Sequence, residues 1–361
     1  MKNTYCVIMA GGVGSRFWPM SRNERPKQFL DVLASGKSLI QQTCERFLKI
    51  CPKENIIIVT NADYTEMVLA QLPYLQPDQV LGEPIRRNTA PCIIYAANKI
   101  YKRNPNANIV VAPSDHVILN EEAFTKAVSA CLTYTKSNEV LLTIGIKPSR
   151  PDTGYGYIQF IDDKSKKENK IYKVKTFTEK PNLEMAKFFL QTGEFLWNAG
   201  IFIWNVKTIL AAFEEHLPEM ATVFAEGKKA YDTPLEEDFI KNAYEQCTNI
   251  SIDFGLMEKA SNVHVMSAEF GWSDLGTWGS LYEHIHHDEN ANAVVGKNVM
   301  MYDTTNCIVN MPKDKLVVLQ GLDDYIVVES DNILLVCKKS DEQMIRQFVN
   351  DVKLQKGEKF V

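Results

Sequence analysis

Short apolar runs alternate with stretches of helical period over the first 145 residues. Tyr5 to Ala10 is apolar and rich in β-formers and empties into Gly11-Gly12-Val13-Gly14, which predicts a buried strand closed by a glycine turn. Ser38-Leu39-Ile40-Gln41 has the form of a capping box, and the apolar spacing that follows predicts a helix to about residue 48. The same reading gives a strand at Ile56 to Val59, a helix near 62–72, a short strand ending at Val80-Leu81 and a helix from about 90 to 103. A strand at Ile109 to Ala112 stops at Pro113-Ser114-Asp115-His116, and a helix over 121–136 leads to a strand at Val140 to Ile144. Such alternation predicts βαβ units and a mostly parallel sheet flanked by helices. Ligands of such sheets lie beyond the carboxyl ends of the strands, where the polar loops named here fall.

After residue 150 the pattern changes. Gly154-Tyr155-Gly156-Tyr157-Ile158 leads into one strand, Val174 to Phe177 returns, and the charged stretch 162–170 is expected to be a solvated hairpin tip. Helices are expected near 182–191, 206–216, 236–246 and 277–286. Beyond about 290, β-rich runs separated by Gly, Asn and Asp predict a small β domain, with a final helix over about 340–354. The expected division is a catalytic domain at 1–288, with 1–150 for a nucleotide and 151–288 for its co-substrate, and a β-rich domain at 289–361.

Composition narrows the class. With 45% hydrophobic and 24% charged residues the chain is an ordinary globular protein. A net charge of −5 argues against a general nucleic-acid binder, whose affinity comes from phosphate neutralisation by a basic face. No stretch approaches the roughly 20 apolar residues of a membrane span, and the N-terminus lacks a secretory pattern, so the expectation is a cytoplasmic protein with no membrane partner. Eight cysteines form no C-x-x-C pair and read as reduced core thiols.

Positive charge gathers instead around the glycine turn, where Arg16, Arg22, Arg25 and Lys27 follow within fifteen residues. Glycines let backbone donors approach phosphate oxygens, and the basic residues read as a grip on a triphosphate and a second anion. Spacing rejects two rivals. From Gly12 the third position of a dinucleotide fingerprint is Phe17, and no G-x-x-x-x-G-K-[ST] is present. What is present is G-x-G-x-R-x-x-P followed by Pro26-Lys27.

That signature resembles the sugar-phosphate nucleotidyltransferases, and Arg16-Phe17-Trp18-Pro19-Met20-Ser21-Arg22 resembles their mannose-1-phosphate guanylyltransferase branch. Further motifs in the family's order carry the resemblance through Glu83-Pro84 with Asn88-Thr89-Ala90-Pro91, Asp115, Glu179-Lys180-Pro181, Trp197-Asn198-Ala199-Gly200, and Gly271-Trp272-Ser273-Asp274. It implies a Rossmann-like mixed sheet of the nucleotide-diphospho-sugar transferase type. It also implies transfer of GMP from GTP to α-D-mannose 1-phosphate, giving GDP-mannose and pyrophosphate, with Mg²⁺ bridging the phosphates. On this resemblance Arg16, Lys27, Asp115 and Asp274 are catalytic, the two aspartates holding the metal. Gly11, Gly12, Gly14, Ser15, Glu83, Asn88 and Thr89 bind the nucleotide, with Glu83 on the guanine. Gly156, Glu179, Lys180, Asn198 and Gly200 bind the sugar phosphate. Some relatives continue into an isomerase domain, which is not expected of a chain ending at Val361.

Blander readings exist for most of these residues. Asp115 fits a turn that caps the next helix, Asp274 an N-cap ahead of Thr277, and Asn88 or Thr89 a cap for the helix at Ala90. Lys180 beside Glu179 fits a solvated pair. Asp253 and Glu258 read as lining or structural residues. Rival functions are a nucleotidyltransferase for another pair such as dTTP and glucose 1-phosphate, a dehydrogenase, and a non-catalytic sugar-nucleotide sensor. A homodimer is left open by the exposed edges expected of the β domain.

Overall fold

The apolar run at the N-terminus forms strand β1 (Thr4–Met9), followed by helix α1 (Leu39–Leu48), β2 (Ile56–Asn61), α2 (Thr65–Gln71), β3 (Val80–Glu83), α3 (Thr89–Arg103) and β4 (Asn108–Pro113). Then come β5 (Val117–Ile118), α4 (Glu121–Ser137), β6 (Leu141–Ile146), β7 (Tyr157–Phe160), β8 (Ile171–Thr178), α5 (Leu183–Thr192), β9 (Phe195–Asn205) and α6 (Val206–His216). The rest comprises α7 (Pro218–Glu226), α8 (Glu236–Gln246), β10 (Val263–Ala268), β11 (Trp272–Ser273), α9 (Trp278–Tyr282) and β12 (Ala293–Val295). Strands β13 (Asn298–Tyr302), β14 (Ile308–Asn310), β15 (Leu316–Gln320), β16 (Tyr325–Ser330) and β17 (Ile333–Lys338) precede α10 (Ile345–Lys356). This computed structural model describes residues 2–162 and 170–361, so the hairpin tip expected over 162–170 lies, apart from its two ends, outside the described residues.

Two units build the chain, each from several stretches. One comprises residues 1–11, 41–114 and 118–272; the other comprises 12–40, 115–117 and 273–361. In the first, nine strands form one mixed sheet in the order β3-β2-β1-β4-β9-β6-β10-β8-β7. Strands β3, β2, β1 and β4 run parallel, with Met9 level with Val59 and with Pro113, and Asn61 level with Glu83. Their carboxyl ends therefore share one edge. Strand β9 enters between β4 and β6 antiparallel to both, which no local pattern announces. Tyr5 and Val7 join a core with residues of α3, α6, α7 and α8, while Cys6 and Ile8 point to the opposite face by the period-2 alternation of a strand. Helix α7 is additional to the helices expected from the sequence; Pro218 occupies its first turn, where its missing N–H costs nothing.

The second unit carries parallel coils. Ala293 pairs with Ile308 and Ile308 with Ile326, while Asn298 pairs with Leu316, so β12-β14-β16 and β13-β15 stack as parallel strands and β17 closes antiparallel on β16. Around them Phe17, Trp18, Leu30, Leu275, Trp278, Ile326 and Ile345 form one core. The helix expected at 277–286 is shorter: Thr277 caps it, its Oγ1 accepting from Ser280 N at 3.2 Å, and α9 stops at Tyr282. The final helix starts as a 3₁₀ turn over Lys339–Met344 before α10. All eight cysteines are free thiols.

Candidate functional site

In the second unit the glycine turn is folded inward by its carbonyls. Gly12 O accepts from Gln28 Nε2 at 2.9 Å, Val13 O from Lys27 N at 3.0 Å, and Gly14 O from Phe17 N at 2.9 Å. Each planar peptide points its N–H opposite its carbonyl, so the donor edge is the outward side of the turn. Gly14 has φ 76°, and a Cβ there would lie 2.5 Å from the Lys27 Cβ, so both conformation and space require glycine.

Lys27 is buried and spends its three donors on three oxygens: Asp115 Oδ2 at 2.8 Å and the main-chain carbonyls of Asp274 and Leu275, each at 2.9 Å. Asp115 therefore does not cap α4; Asn120 does. Burial works against ionising Asp115, but the ammonium of Lys27, with His116, holds its carboxyl below the usual range. Asp274 does not cap α9 either. Its Oδ1 accepts from Gly276 N at 2.8 Å, and a Cβ on Gly276 would lie 2.5 Å from Asp274 Oδ2 and 3.1 Å from Arg16 Nη2. Arg16 and Asp274 thus flank Gly276. Burial and the charge of Arg16 lower Arg346 on α10, a second guanidinium near the turn that the sequence did not single out.

Two arginines read as ligand grips are committed elsewhere. Arg22 pairs with Asp331, and Arg25 donates to Ser330 Oγ at 2.9 Å, so both tie the turn to the end of β16. The local excess of positive charge is in part structural.

The first unit holds two further groups. At the end of β3, Glu83 Oε1 accepts from the Tyr244 hydroxyl at 3.0 Å, and a Cβ on Gly11 would come within 3.1 Å of Glu83 Oε2. Burial pushes the Glu83 carboxyl up to about 7 against the opposing effects of Tyr244 and Arg86. Asn88, at φ 68°, caps α3 through Thr89 N at 3.0 Å, and Thr89 Oγ1 accepts from Ile252 N at 2.9 Å. The capping role weighed for Asn88 is present.

The second group gathers Gly156, Glu179, Lys180, Asn198, Gly200 and Asp253. Asn198 Oδ1 accepts from Thr143 Oγ1 at 2.9 Å and from Gly200 N at 3.2 Å, which fixes its amide so that Nδ2 donates to Asp253 Oδ1 at 2.9 Å. Its main-chain N donates to Gly156 O at 2.8 Å, and a Cβ on Gly156 would meet Glu179 Oε2 at 2.5 Å. Gly200 has φ 66°. Lys180 pairs with its neighbour Glu179, and Glu179 N donates to Glu258 Oε1 at 3.0 Å. Asp253 lies on a π-helix, Asp253–Met257, a rare geometry that recurs at functional sites. Burial, and then the charge of Glu179, push its carboxyl up to about 7. The raised carboxyl could not be read from the sequence, because Glu179 and Asn198 reach Asp253 from distant segments.

A mixed sheet of this order, with glycine turn, buried lysine and separate carboxylates, defines a class. The chain belongs to the nucleotidyl transferase family, whose sequence profile matches residues 5–291. Residues 297–352 match the MannoseP isomerase/GMP-like beta-helix domain, in keeping with the parallel coils. More particularly, the chain is 34% identical to the mannose-1-phosphate guanylyltransferase of Salmonella montevideo, over 97% of this chain and 74% of the relative. It is also 34% identical to the alginate biosynthesis protein AlgA of Pseudomonas aeruginosa, over 97% and 72%. A solved Thermus thermophilus structure, described as a mannose-1-phosphate geranyltransferase, superposes with a TM-score of 0.85 at 30% identity, covering 97% of this chain and 99% of that one.

Proposed function

We propose that this enzyme transfers GMP from GTP to α-D-mannose 1-phosphate, releasing pyrophosphate and forming GDP-mannose. The observation that carries the reading is the convergence of the glycine turn, Lys27, Asp115 and Asp274 in one unit. It is supported by sequence similarity to guanylyltransferases along nearly the whole chain. A phosphate oxygen of mannose 1-phosphate attacks the α-phosphorus of GTP in line, the bond to the bridging oxygen breaks, and pyrophosphate departs with the charge. Both reactants are anions, so the chain's task is to cancel repulsion and fix the line of approach.

The N–H edge of the turn at Gly14 and Ser15, with Gly11 and Gly12 allowing close approach beside it, and the guanidinium of Arg16 are assigned to the triphosphate. Lys27 holds Asp115 and the 274–275 backbone in place, and reaches a phosphate by exchanging one of its three oxygens for a phosphate oxygen. Glu83 is assigned to the N1–H and 2-amino group of guanine, with Asn88 and Thr89 shaping the loop beside it. Glu179, Asn198 and the flanking Gly156 and Gly200 are assigned to sugar hydroxyls, and Lys180 to the incoming phosphate.

The donor set of Asp115 and Asp274 fits a divalent cation, Mg²⁺ in this reading. Magnesium takes one or two carboxylates and fills its remaining octahedral positions with water and substrate oxygens. Among the described residues no group of three or more His, Cys, Asp and Glu stands together to hold a metal. When bound, the cation would neutralise charge on the phosphates. We place catalysis in residues 1–288 and a supporting role in 289–361. The free thiols suit a cytoplasmic setting. Outward-facing Met300, Leu316 and Val318 suit a homodimer. Among the described residues no helix is long and apolar enough to cross a membrane.

The test is pyrophosphate release by purified protein across four NTPs and a panel of hexose 1-phosphates. GTP with mannose 1-phosphate should exceed every other pair; preference for dTTP with glucose 1-phosphate would replace this reading with the neighbouring one.

A further inference from the structure

We infer that Tyr244, on α8, is a positioning residue for Glu83, its hydroxyl fixing the carboxylate in the orientation that selects a purine bearing a 2-amino group. The inference rests on the assignment of Glu83 to the base.

Glu83 sits buried at the end of β3, and among the described residues the side chain that hydrogen-bonds it is Tyr244, whose hydroxyl lies 3.0 Å from Oε1. Oε2 faces the Gly11 backbone, where even a methyl group would come within 3.1 Å. The carboxylate is thus held by Tyr244 at one oxygen, while the other lies close to Gly11 just beyond the end of β1. Tyr244 cannot follow a moving partner. It is fully buried, and its ring lies edge-on to Tyr95, with centroids 6.5 Å apart, and to Phe224, 5.9 Å apart. Its main-chain carbonyl accepts from Arg87 Nε at 3.3 Å, which ties α8 to the loop that follows Glu83. Such packing gives the hydroxyl one direction, and that direction is Glu83.

Guanine presents two adjacent donors, N1–H and the 2-amino group, so a partner must accept at both oxygens. A protonated Glu83 would offer one donor and lose the match. Burial favours that neutral form, carrying the carboxyl up to about 7, while Tyr244 and Arg86 oppose it and the Cys92 thiol of α3 lies nearby. Arg86 itself donates to the Tyr64 hydroxyl at 2.8 Å, so the bond made to the carboxylate is that of Tyr244.

The experiment compares Tyr244→Phe, which keeps the ring and removes the hydroxyl, with Glu83→Gln, using GTP and ITP between pH 6.5 and 9. ITP lacks the 2-amino group. For Tyr244→Phe the expected result at pH 7 is a KM for GTP raised about 10- to 150-fold, the range of one lost hydrogen bond to a charged group. KM for mannose 1-phosphate and kcat should be unchanged, the preference for GTP over ITP should fall, and the deficit should shrink as pH rises and Glu83 ionises. Glu83→Gln should lose the preference at every pH. A Tyr244→Phe enzyme that keeps the GTP preference and the wild-type pH profile while Glu83→Gln loses them overturns the inference alone. Equal loss of kcat and both KM values at every pH would make Tyr244 a packing residue and also overturn it. If Glu83→Gln keeps the preference, the assignment of the base itself fails.

Discussion

Lys27 Nζ lies 2.8 Å from Asp115 Oδ2, a buried cation and a carboxylate contributed by segments almost ninety positions apart in the chain. The same ammonium reaches the carbonyls of Asp274 and Leu275, so one side chain organises three loops. Lys27→Ala should lower kcat/KM by about 10²–10³ or more, the scale of losing one preorganised charged donor. It should also leave Asp115, whose side chain is 31% exposed, without its ammonium partner, which costs on the order of 1–3 kcal/mol. Circular dichroism should show a folded protein with a lower Tm; near-normal turnover would remove Lys27 from the mechanism. The pH dependence follows in sign: the folded carboxyl lies below its ordinary value, so its contribution is present above the unfolded pKa and lost as pH falls through the folded one. Urea midpoints measured from pH 7 down to pH 3 should fall less steeply in Lys27→Ala.

Asp115→Asn and Asp274→Asn should each weaken dependence on the divalent cation. Titrating Mg²⁺ in the turnover assay should show a saturation point raised by about tenfold or more, because each change removes one of very few charged oxygen donors. Mn²⁺ binding followed by electron paramagnetic resonance with GTP present gives a readout independent of turnover. Unchanged saturation in both variants would exclude this pair as the metal site.

Asp253 should trade stability for binding. Its carboxyl is raised to about 7 from an ordinary value near 4, so ionising it costs the folded state as pH rises across that window. Asp253→Asn should therefore raise the unfolding free energy at pH 8 by on the order of 1–3 kcal/mol, read as a higher Tm, and leave Tm nearly unchanged at pH 4. It should also raise KM for mannose 1-phosphate through the altered Asn198 contact, with KM for GTP unaffected. A lower Tm at pH 8 would contradict the sign.

Lys99 is buried on α3, with Glu236 Oε1 at 2.7 Å and Asp232 Oδ1 at 3.2 Å. Glu236→Ala would strip the nearer of its two charged partners and also the acceptor of the Tyr95 hydroxyl, at 2.7 Å. Because Asp232 still faces Lys99, the expected loss is roughly 2–3 kcal/mol, read from urea denaturation. Glu237→Ala, a neighbouring exposed change, should stay within about 0.5 kcal/mol.

Much of the fold was legible because its elements are local. Tyr5 to Ala10 and Ile109 to Ala112 are short apolar runs bounded by glycine or proline, and the strands lie where those boundaries put them. The helix over 206–216 follows its apolar spacing almost to the residue. The glycine turn, too, declared itself: Gly14 is needed for a positive φ that other residues resist.

What the chain's order alone determined was thus the list of elements and the chemistry available at their ends: a turn suited to phosphate, carboxylates after β4 and in the 271–278 loop, a glutamate at the end of β3. Tertiary structure decided which of those groups meet. It placed β9 antiparallel inside the sheet, drew Arg22 and Arg25 away to β16, made a buried hub of Lys27, and set Tyr244 against Glu83 and Asp253 against Asn198. The reason is range: periodicity and turn chemistry act over a few residues and can be read in order, whereas a hydrogen bond between positions 83 and 244 depends on how every intervening element packs.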